Sequence, residues 1–292
     1  AELTRVIRDT RPDFVFHLAA QPLVRQSYDD PVETYQTNVM GTLNVLEALR
    51  TLENPCTAVM ITSDKCYDNV EWLWGYRETD ALGGPDPYSA SKGAAELVIR
   101  SHVKSFFPRG GKVRIAVGRA GNVIGGGDWA ASRTVPACVR AWARRECVDL
   151  RNPHSTRPWQ HVLEPLSGYL KPAAALYQRP ELHGEPFNFG PPASQNHTVL
   201  ELVAEMSRHW PDVLWKDVSG SVSGPYESGL LKLNCDKALH VLKWHASMSF
   251  AETVRMTAGW YRAYYERPQE IAEVTFAQIR EYEAIVRARE VS

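Results

Sequence analysis

Tyr88 and Lys92 stand four residues apart at the start of a segment whose pattern predicts a helix over about 88–106, so both side chains share one face. An ammonium beside a phenol favours the phenolate and lowers a pKa that starts near ~10, which is what a general base requires. The pair alone suits a surface i,i+4 contact equally well. Its surroundings add to it. Thr57-Ala58-Val59-Met60-Ile61 reads as a buried strand, and Thr62 and Ser63 end it. Asp64 and Lys65 follow at once, a carboxyl and an amine directly after a hydroxyl, although an ordinary turn would also use them. His17-Leu18-Ala19-Ala20-Gln21 ends the preceding apolar run with small residues that let a flat ligand approach the backbone. Ligands of open α/β sheets bind outside the carboxyl ends of the strands, where both groups fall.

The elements that must position these residues alternate along the first half of the chain. Residues 3–9 read as the end of an amphipathic helix, and Phe14-Val15-Phe16-His17-Leu18 as a buried parallel strand. Asp29 or Asp30 caps a helix with Pro31 at its first position, running to about Leu52 with Val32, Tyr35, Val39, Leu43, Leu46 and Leu49 on one face. A loop over 66–87, rich in Trp, Tyr and Gly, leads to the Tyr88 helix, and Val113–Val117 is the next strand. Strand and helix alternating at this length predict an α/β, doubly wound parallel sheet. After about Gly125 the pattern loosens into short strands such as 186–189 and two late amphipathic helices, 200–210 and 250–265. The expected division is therefore 1–124 and a smaller mixed α/β domain over 125–292, with 154–170 returning to the first. The run Arg140–Arg145 reads as a solvated helix face.

Composition excludes other classes. The 292 residues carry 33 Lys+Arg against 34 Asp+Glu, a net charge of −1, which gives no electrostatic case for non-specific nucleic-acid or membrane binding. No stretch approaches ~18 consecutive apolar residues. Five cysteines, an odd number without a C-x-x-C, suit a reduced, cytoplasmic setting and suggest no metal site.

The motifs, taken in order, resemble the extended short-chain dehydrogenase/reductases. Ser63, Tyr88 and Lys92 match the Ser/Thr–Tyr–Lys site of that family, with His17-Leu18-Ala19-Ala20 and Asn38-Val39-Met40-Gly41-Thr42 in their places. Arg119-Ala120-Gly121-Asn122-Val123-Ile124-Gly125 looks like its R-x-x-N-V-x-G segment, and Arg157-Pro158-Trp159-Gln160-His161-Val162 like its R-x-x-x-H-V segment. Phe187-Asn188-Phe189-Gly190 and Lys237-Ala238 with Leu242-Lys243-Trp244 complete the series. Sugar-nucleotide 4,6-dehydratases carry an acid/base pair directly after the Ser/Thr. Asp64-Lys65 there, the long 67–88 loop and Gly125-Gly126-Gly127-Asp128-Trp129 look like the CDP-glucose branch.

That resemblance implies a Rossmann fold, NAD as cofactor, CDP-glucose as substrate, and a homodimer or dimer of dimers built on the helices around 32–52 and 88–106. It implies that Tyr88 takes the 4-hydroxyl proton, Ser63 holds that oxygen, and Lys92 holds Tyr88 as phenolate. Asp64 is then the acid for the 6-hydroxyl and Lys65, as the neutral amine, the base at carbon 5, with coupled titrations. Leu18, Ala19, Ala20, Gln21 and Asn38 are expected at the cofactor with Tyr88 and Lys92, Asn38 by holding the backbone there. Asn122, Arg157 and Trp159 are expected at the nucleotide sugar, Arg157 because a guanidinium fork matches phosphate oxygens. Glu227 stands where many relatives place a basic or polar substrate contact. Trp72, Trp74 and Trp129 fall in segments expected near the same ligand. A 4-epimerase or decarboxylase on this scaffold would need no Asp64-Lys65 pair, and a non-catalytic nucleotide-sugar-binding relative would need none of the set. The family's G-x-x-G-x-x-G turn is not in this sequence, and Phe14–Leu18 resembles the family's fourth strand. A longer protein, with roughly 60–70 further residues ahead of this sequence, is the expectation.

Overall fold

The computed structural model describes residues 2–131, 133–219 and 229–290. Within them the alternating segments form four parallel strands: β1 (Phe14–His17), β2 (Cys56–Ile61), β3 (Val113–Ala120) and β4 (Pro186–Phe189), side by side in that order. Registers run from Phe14 opposite Thr57 to His17 opposite Met60, then from Cys56 opposite Val113 to Ile61 opposite Gly118, and end with Ala120 opposite Phe189. The run Cys56–Met60, apolar except for Thr57, is buried throughout, as a strand covered on both faces requires. The expected α/β, parallel Rossmann-type sheet is what the chain builds.

Three helices cross between neighbouring strands. The first is composite: Pro31–Tyr35, a π-helical turn Gln36–Met40, and Gly41–Leu49 run on without a break. Asp30 caps it, its carboxylate accepting from the Glu33 amide at 2.9 Å, with Pro31 in the first turn. The π turn adds a residue to one turn and rotates the faces against each other. Val32 and Tyr35 are therefore exposed, while Leu46 and Leu49 are fully buried. The single apolar stripe expected from Val32 to Leu49 is broken here, and the buried face of the first half is the polar series Thr34, Asn38, Thr42.

Helix α3 (Pro87–Phe106) and helix α4 (Leu163–Gln178) make the other crossings, numbering Pro31–Tyr35 and Gly41–Leu49 together as α2 and Glu2–Thr10 as α1. Leu46 and Leu49 of α2 and Ile99 and Val103 of α3 pack on Ala58, Met60, Ile115 and Val117 of the sheet. Each such aliphatic side chain contributes about 1.5–3 kcal/mol on full burial.

The chain falls into two compact units. The first is Ala1–Gly121, Ser167–Phe189 and Leu233–His245; the second is Asn122–Leu166, Gly190–Lys232 and Ala246–Ser292. The boundary expected at 124 lies at 121. Of the expected return over 154–170 only 167–170 falls in the first unit, because Gln160–His161 pairs with Val123–Ile124 inside the second.

The second unit is mixed α/β. Helices Thr134–Ala143, Val199–Ser207 and Phe250–Glu266 enclose a core of Val135, Val139, Trp142, Leu202, Met206, Val254 and Tyr261. Thr198 with Glu201, and Ser249 with Glu252, form capping boxes that fix the starts of two of these helices.

Candidate active site

Ser63, Asp64, Lys65, Tyr88 and Lys92 all lie in the first unit, at the carboxyl end of β2 and on the first turns of α3. Ser63 is extended and caps a 3₁₀ turn, Asp64–Cys66, its hydroxyl accepting from the Lys65 amide at 3.2 Å. The same hydroxyl donates to Asp64 Oδ1 at 3.0 Å. Hydroxyl and carboxyl are therefore joined directly, which adjacency in sequence alone does not require. Ser63 and Asp64 are buried, and Lys65 is half-buried.

Helix α3 begins at this turn for local reasons. Asp86 accepts from both the amide and the hydroxyl of Ser89, Pro87 sits in the first turn, and the Tyr88 amide donates to Ser27 Oγ at 3.1 Å. Gly93 lets the helix press on the turn: a Cβ there would stand 3.2 Å from the Cys66 carbonyl oxygen and 3.0 Å from the Gly83 nitrogen. Tyr88 and Lys92 thus face the carboxyl end of β2, with Lys92 Nζ 5.9 Å from the centre of the Tyr88 ring.

Lys92 is buried, and burial pulls its pKa down to about 8 against the opposing pull of Cys66 and Glu96. Its ammonium makes no hydrogen bond or ion pair among the described residues. A buried donor group of this kind fits a ligand offering hydroxyl oxygens, such as the ribose of a dinucleotide. His17, at the end of β1, is held below the ordinary histidine pKa by burial and then by Lys92, so it is neutral. Its Nε2 lies 3.3 Å from Thr42 Oγ1, whose own proton goes to the Asn38 carbonyl at 2.7 Å, which assigns the imidazole proton to Nε2.

Asn38 occupies the π turn and ties two segments together. Its Oδ1 accepts from the Gln21 amide at 2.9 Å, and its Nδ2 donates to the Gln21 carbonyl at 3.1 Å and to Ser91 Oγ at 2.9 Å. Gln21 is buried, its side chain donating to Thr34 Oγ1 and accepting from the Leu23 amide. It secures the loop, and Leu18 and Ala19 are the exposed residues beside it. The segment 18–21, placed by sequence near a cofactor, is thus anchored by Asn38 to the helix that carries Tyr88 and Lys92.

One component had no motif of its own. Glu96, one turn beyond Lys92, is 3% exposed and binds Arg119 through Nε at 2.7 Å and Nη2 at 2.8 Å, while Thr62 donates to its Oε1. Arg119 Nη1 donates to the Tyr67 hydroxyl, and Tyr67 donates to Asn188 Oδ1, both at 2.7 Å. The network joins α3, β3 and β4 to the residue directly before Ser63. Its sequence signal is the spacing: 88, 92 and 96 share one helix face.

The second unit holds the residues expected at the nucleotide. Arg157 and Trp159 line a recess with Arg133, Arg151, Asn152 and Ser155. Arg157 donates to the Thr156 carbonyl at 2.8 Å, and Trp159 is buried with its indole N–H on the His197 carbonyl at 3.2 Å. Asn122 adopts a left-handed φ of 54° and accepts from the Gln160 amide through its carbonyl. Glu227 lies outside the described residues. Among the described residues no group of His, Cys, Asp or Glu could hold a metal ion, and no helix is long and apolar enough to cross a membrane. Trp72 stacks on Tyr76 at 5.1 Å, and Trp74 is largely exposed.

Comparison with known proteins gives the family. The sequence model of the GDP-mannose 4,6-dehydratase family matches residues 1–257. A CDP-glucose 4,6-dehydratase of Salmonella typhimurium is 47% identical over 270 residues, covering 90% of this chain and 74% of that protein. A UDP-glucose 4-epimerase of Mycoplasma pneumoniae is 24% identical, covering 91% of this chain and 81% of that protein. Among solved structures, a Bacillus cereus UDP-glucuronic acid 4-epimerase in complex with UDP-glucuronic acid and NAD shares the fold at a TM-score of 0.76 and 19% identity, over 90% of this chain and 78% of its own. By the match of its sequence to the family model and to the Salmonella typhimurium relative, the chain belongs to the GDP-mannose 4,6-dehydratase family, a branch of the extended short-chain dehydrogenase/reductases.

Proposed function

We propose that this chain dehydrates CDP-D-glucose to CDP-4-dehydro-6-deoxy-D-glucose with NAD as cofactor, a step of deoxysugar biosynthesis. The observation that carries the reading is the Asp64-Lys65 pair on a turn capped by Ser63 and packed against the helix of Tyr88 and Lys92. An epimerase has no use for an acid and a base there. The 47% identity to a CDP-glucose 4,6-dehydratase supports the cytidine nucleotide as substrate.

Tyr88 takes the proton of the sugar 4-hydroxyl, with Lys92 favouring its phenolate and holding the nicotinamide ribose beside the loop of Leu18, Ala19 and Ala20. Bound NAD would supply the hydride acceptor, filled from carbon 4 and emptied onto carbon 6 after water has left, while the proton taken from carbon 5 is returned there. A 4-ketone acidifies the hydrogen on carbon 5. Lys65, as the free amine, removes that proton, and Asp64 protonates the departing 6-hydroxyl, which leaves as water. Ser63 holds Asp64 in the free enzyme and can turn to the 4-oxygen once substrate is bound. Arg157, in its recess with Arg133 and Arg151, is assigned to the diphosphate, and Trp159 and Asn122 to the nucleotide sugar.

A cytoplasmic homodimer is part of this proposal. The odd cysteine count supports the compartment. Exposed Val32, Tyr35 and Met40 of α2 and Leu97 of α3 support a helix-to-helix contact between copies, which light scattering tests. Turnover of CDP-glucose against dTDP-glucose tests the chemistry. The product, a 4-keto-6-deoxy sugar, absorbs in alkali, whereas an epimerised sugar does not. CDP-glucose left unconverted while dTDP-glucose is dehydrated would move the substrate to the other branch.

A further inference from the structure

Tyr169 lies on α4, in the stretch that belongs to the first unit. Its ring rests on a glycine. A Cβ built on Gly118 would stand 3.0 Å from Cδ1 and 3.1 Å from Cε1 of Tyr169, and 3.0 Å from Cδ1 of Ile61. Gly118 and Ile61 oppose each other as the last paired rung of β2 and β3, and Thr62, Ser63 and Asp64 follow Ile61 directly. Phe189, at the end of β4, meets the ring edge to face at 5.6 Å. The ring is therefore seated, by a missing side chain and an aromatic wall, at the carboxyl end of the sheet.

The residue is 7% exposed, and its hydroxyl makes no hydrogen bond among the described residues yet is not one of the sealed, unpartnered polar atoms. A phenol held in this way has a ring fixed by packing and a hydroxyl open to a ligand. Burial, then the charge of Asp64, then that of Tyr88 hold the phenol above its ordinary pKa, so it keeps its proton and can donate. The charges that act on it are thus those of the acid and the base of the proposed reaction, and its ring packs beside the strand end that leads to Asp64.

We infer that Tyr169 contacts the substrate, its phenol donating a hydrogen bond to the carbon-6 oxygen of the sugar beside the Asp64 carboxyl that protonates that oxygen. The inference rests on the dehydratase reading. As the C6–O bond lengthens the oxygen gains negative charge, and a fixed donor there favours the transition state over the ground state. The bond electrons leave with the oxygen, the proton comes from Asp64, water departs, and Tyr169 keeps its own proton. The unpartnered hydroxyl of the free enzyme then has its acceptor in the substrate.

Tyr169→Phe in the full-length protein removes only the hydroxyl. The expected result is a fall in kcat of roughly 10- to 100-fold, with KM changed by less than about threefold. The melting temperature should be unchanged, since the hydroxyl bonds no group of the protein and the ring that packs is kept. Exchange of the carbon-5 hydrogen with solvent should persist while release of product slows. A kcat within about twofold of native, or a loss of activity that comes with a lowered melting temperature, overturns the assignment. If the native protein forms no keto sugar from CDP-glucose or dTDP-glucose, the dehydratase reading itself fails. Native turnover with an equally active Tyr169→Phe sinks only the role of Tyr169.

Discussion

The Cα of Gly121 lies against the carboxyl group of Asp64: a methyl group added there would stand 1.9 Å from Oδ2 and 2.2 Å from Oδ1. No rotation of a methyl relieves such an overlap, so Gly121→Ala must move the carboxyl, the backbone, or both. Ser63 donates to the same carboxyl, so the displacement reaches the site directly. Misplacing an acid by about 1 Å lowers turnover by roughly 100-fold, against an overpacking cost of about 1–3 kcal/mol in stability. Steady-state kinetics beside a urea denaturation curve measure both. A fully active Gly121→Ala would remove Asp64 from the chemistry.

Lys65→Met separates the base from the acid. With Asp64, Tyr88 and Lys92 intact, oxidation at carbon 4 should survive while exchange of the carbon-5 hydrogen with deuterated solvent and formation of product both fall. Mass spectrometry of recovered substrate reads the exchange. Exchange at the native rate in this variant would assign the proton abstraction elsewhere.

Lys92 makes a prediction about pH. Its pKa is about 8 in the folded protein against an ordinary 10.5, so the unfolded chain binds the proton more tightly. Below pH 8 both states are charged and the full burial penalty stands. Between pH 8 and 10.5 the folded state has released its proton and the unfolded state has not, so the lysine's contribution to stability rises with pH. Lys92→Met should therefore be more stable than native at pH 7, by on the order of 2–3 kcal/mol. That advantage should shrink as pH approaches 10.5. Denaturant midpoints at several pH values check the trend, and an advantage that grew with pH would reverse the assignment.

The parts legible in the sequence were those set by local period. The apolar runs at 14–18 and 57–61 gave strands, the capped helix start at Asp30 and Pro31 stood where expected, and the spacing of Tyr88 and Lys92 put them on one face. Helix α4 was not expected, because Gly168 and Pro172 interrupt its pattern and a proline inside a helix argues against one. The π turn was hidden for a different reason: its identity lies in backbone hydrogen bonds, not in residue type. Gly121 reads as a small residue of a motif, and Gly118 as nothing in particular, until Asp64 and Tyr169 are seen to rest on them. Contacts between segments distant in sequence decide such positions, and a single sequence carries no signal of them.

The Glu96–Arg119 pair illustrates that class and can be tested without substrate. Both side chains are almost wholly buried. Arg119→Met leaves the Glu96 carboxylate without its cation and should cost about 3–5 kcal/mol, whereas Glu96→Gln with Arg119→Met removes both charges and should recover most of it. Urea denaturation of the two single variants and the double variant gives the coupling. Additive losses would show that the two charges do not act together.

Asn38 offers a last test, because its bonds hold the backbone of Gln21 on one side and Ser91 on the other. Asn38→Leu keeps the volume and orphans the buried amide and carbonyl of Gln21, each at a cost of about 1–3 kcal/mol. Asn38→Asp retains the acceptor towards the Gln21 amide but sets a carboxylate against the Gln21 carbonyl, which has no proton to share. Asn38→Leu should lower stability and loosen the 18–21 segment, seen as faster amide exchange at Gln21 than at Leu46, which packs on the far end of the same helix. Equal exchange at both positions would mean that the π turn holds the segment without its asparagine.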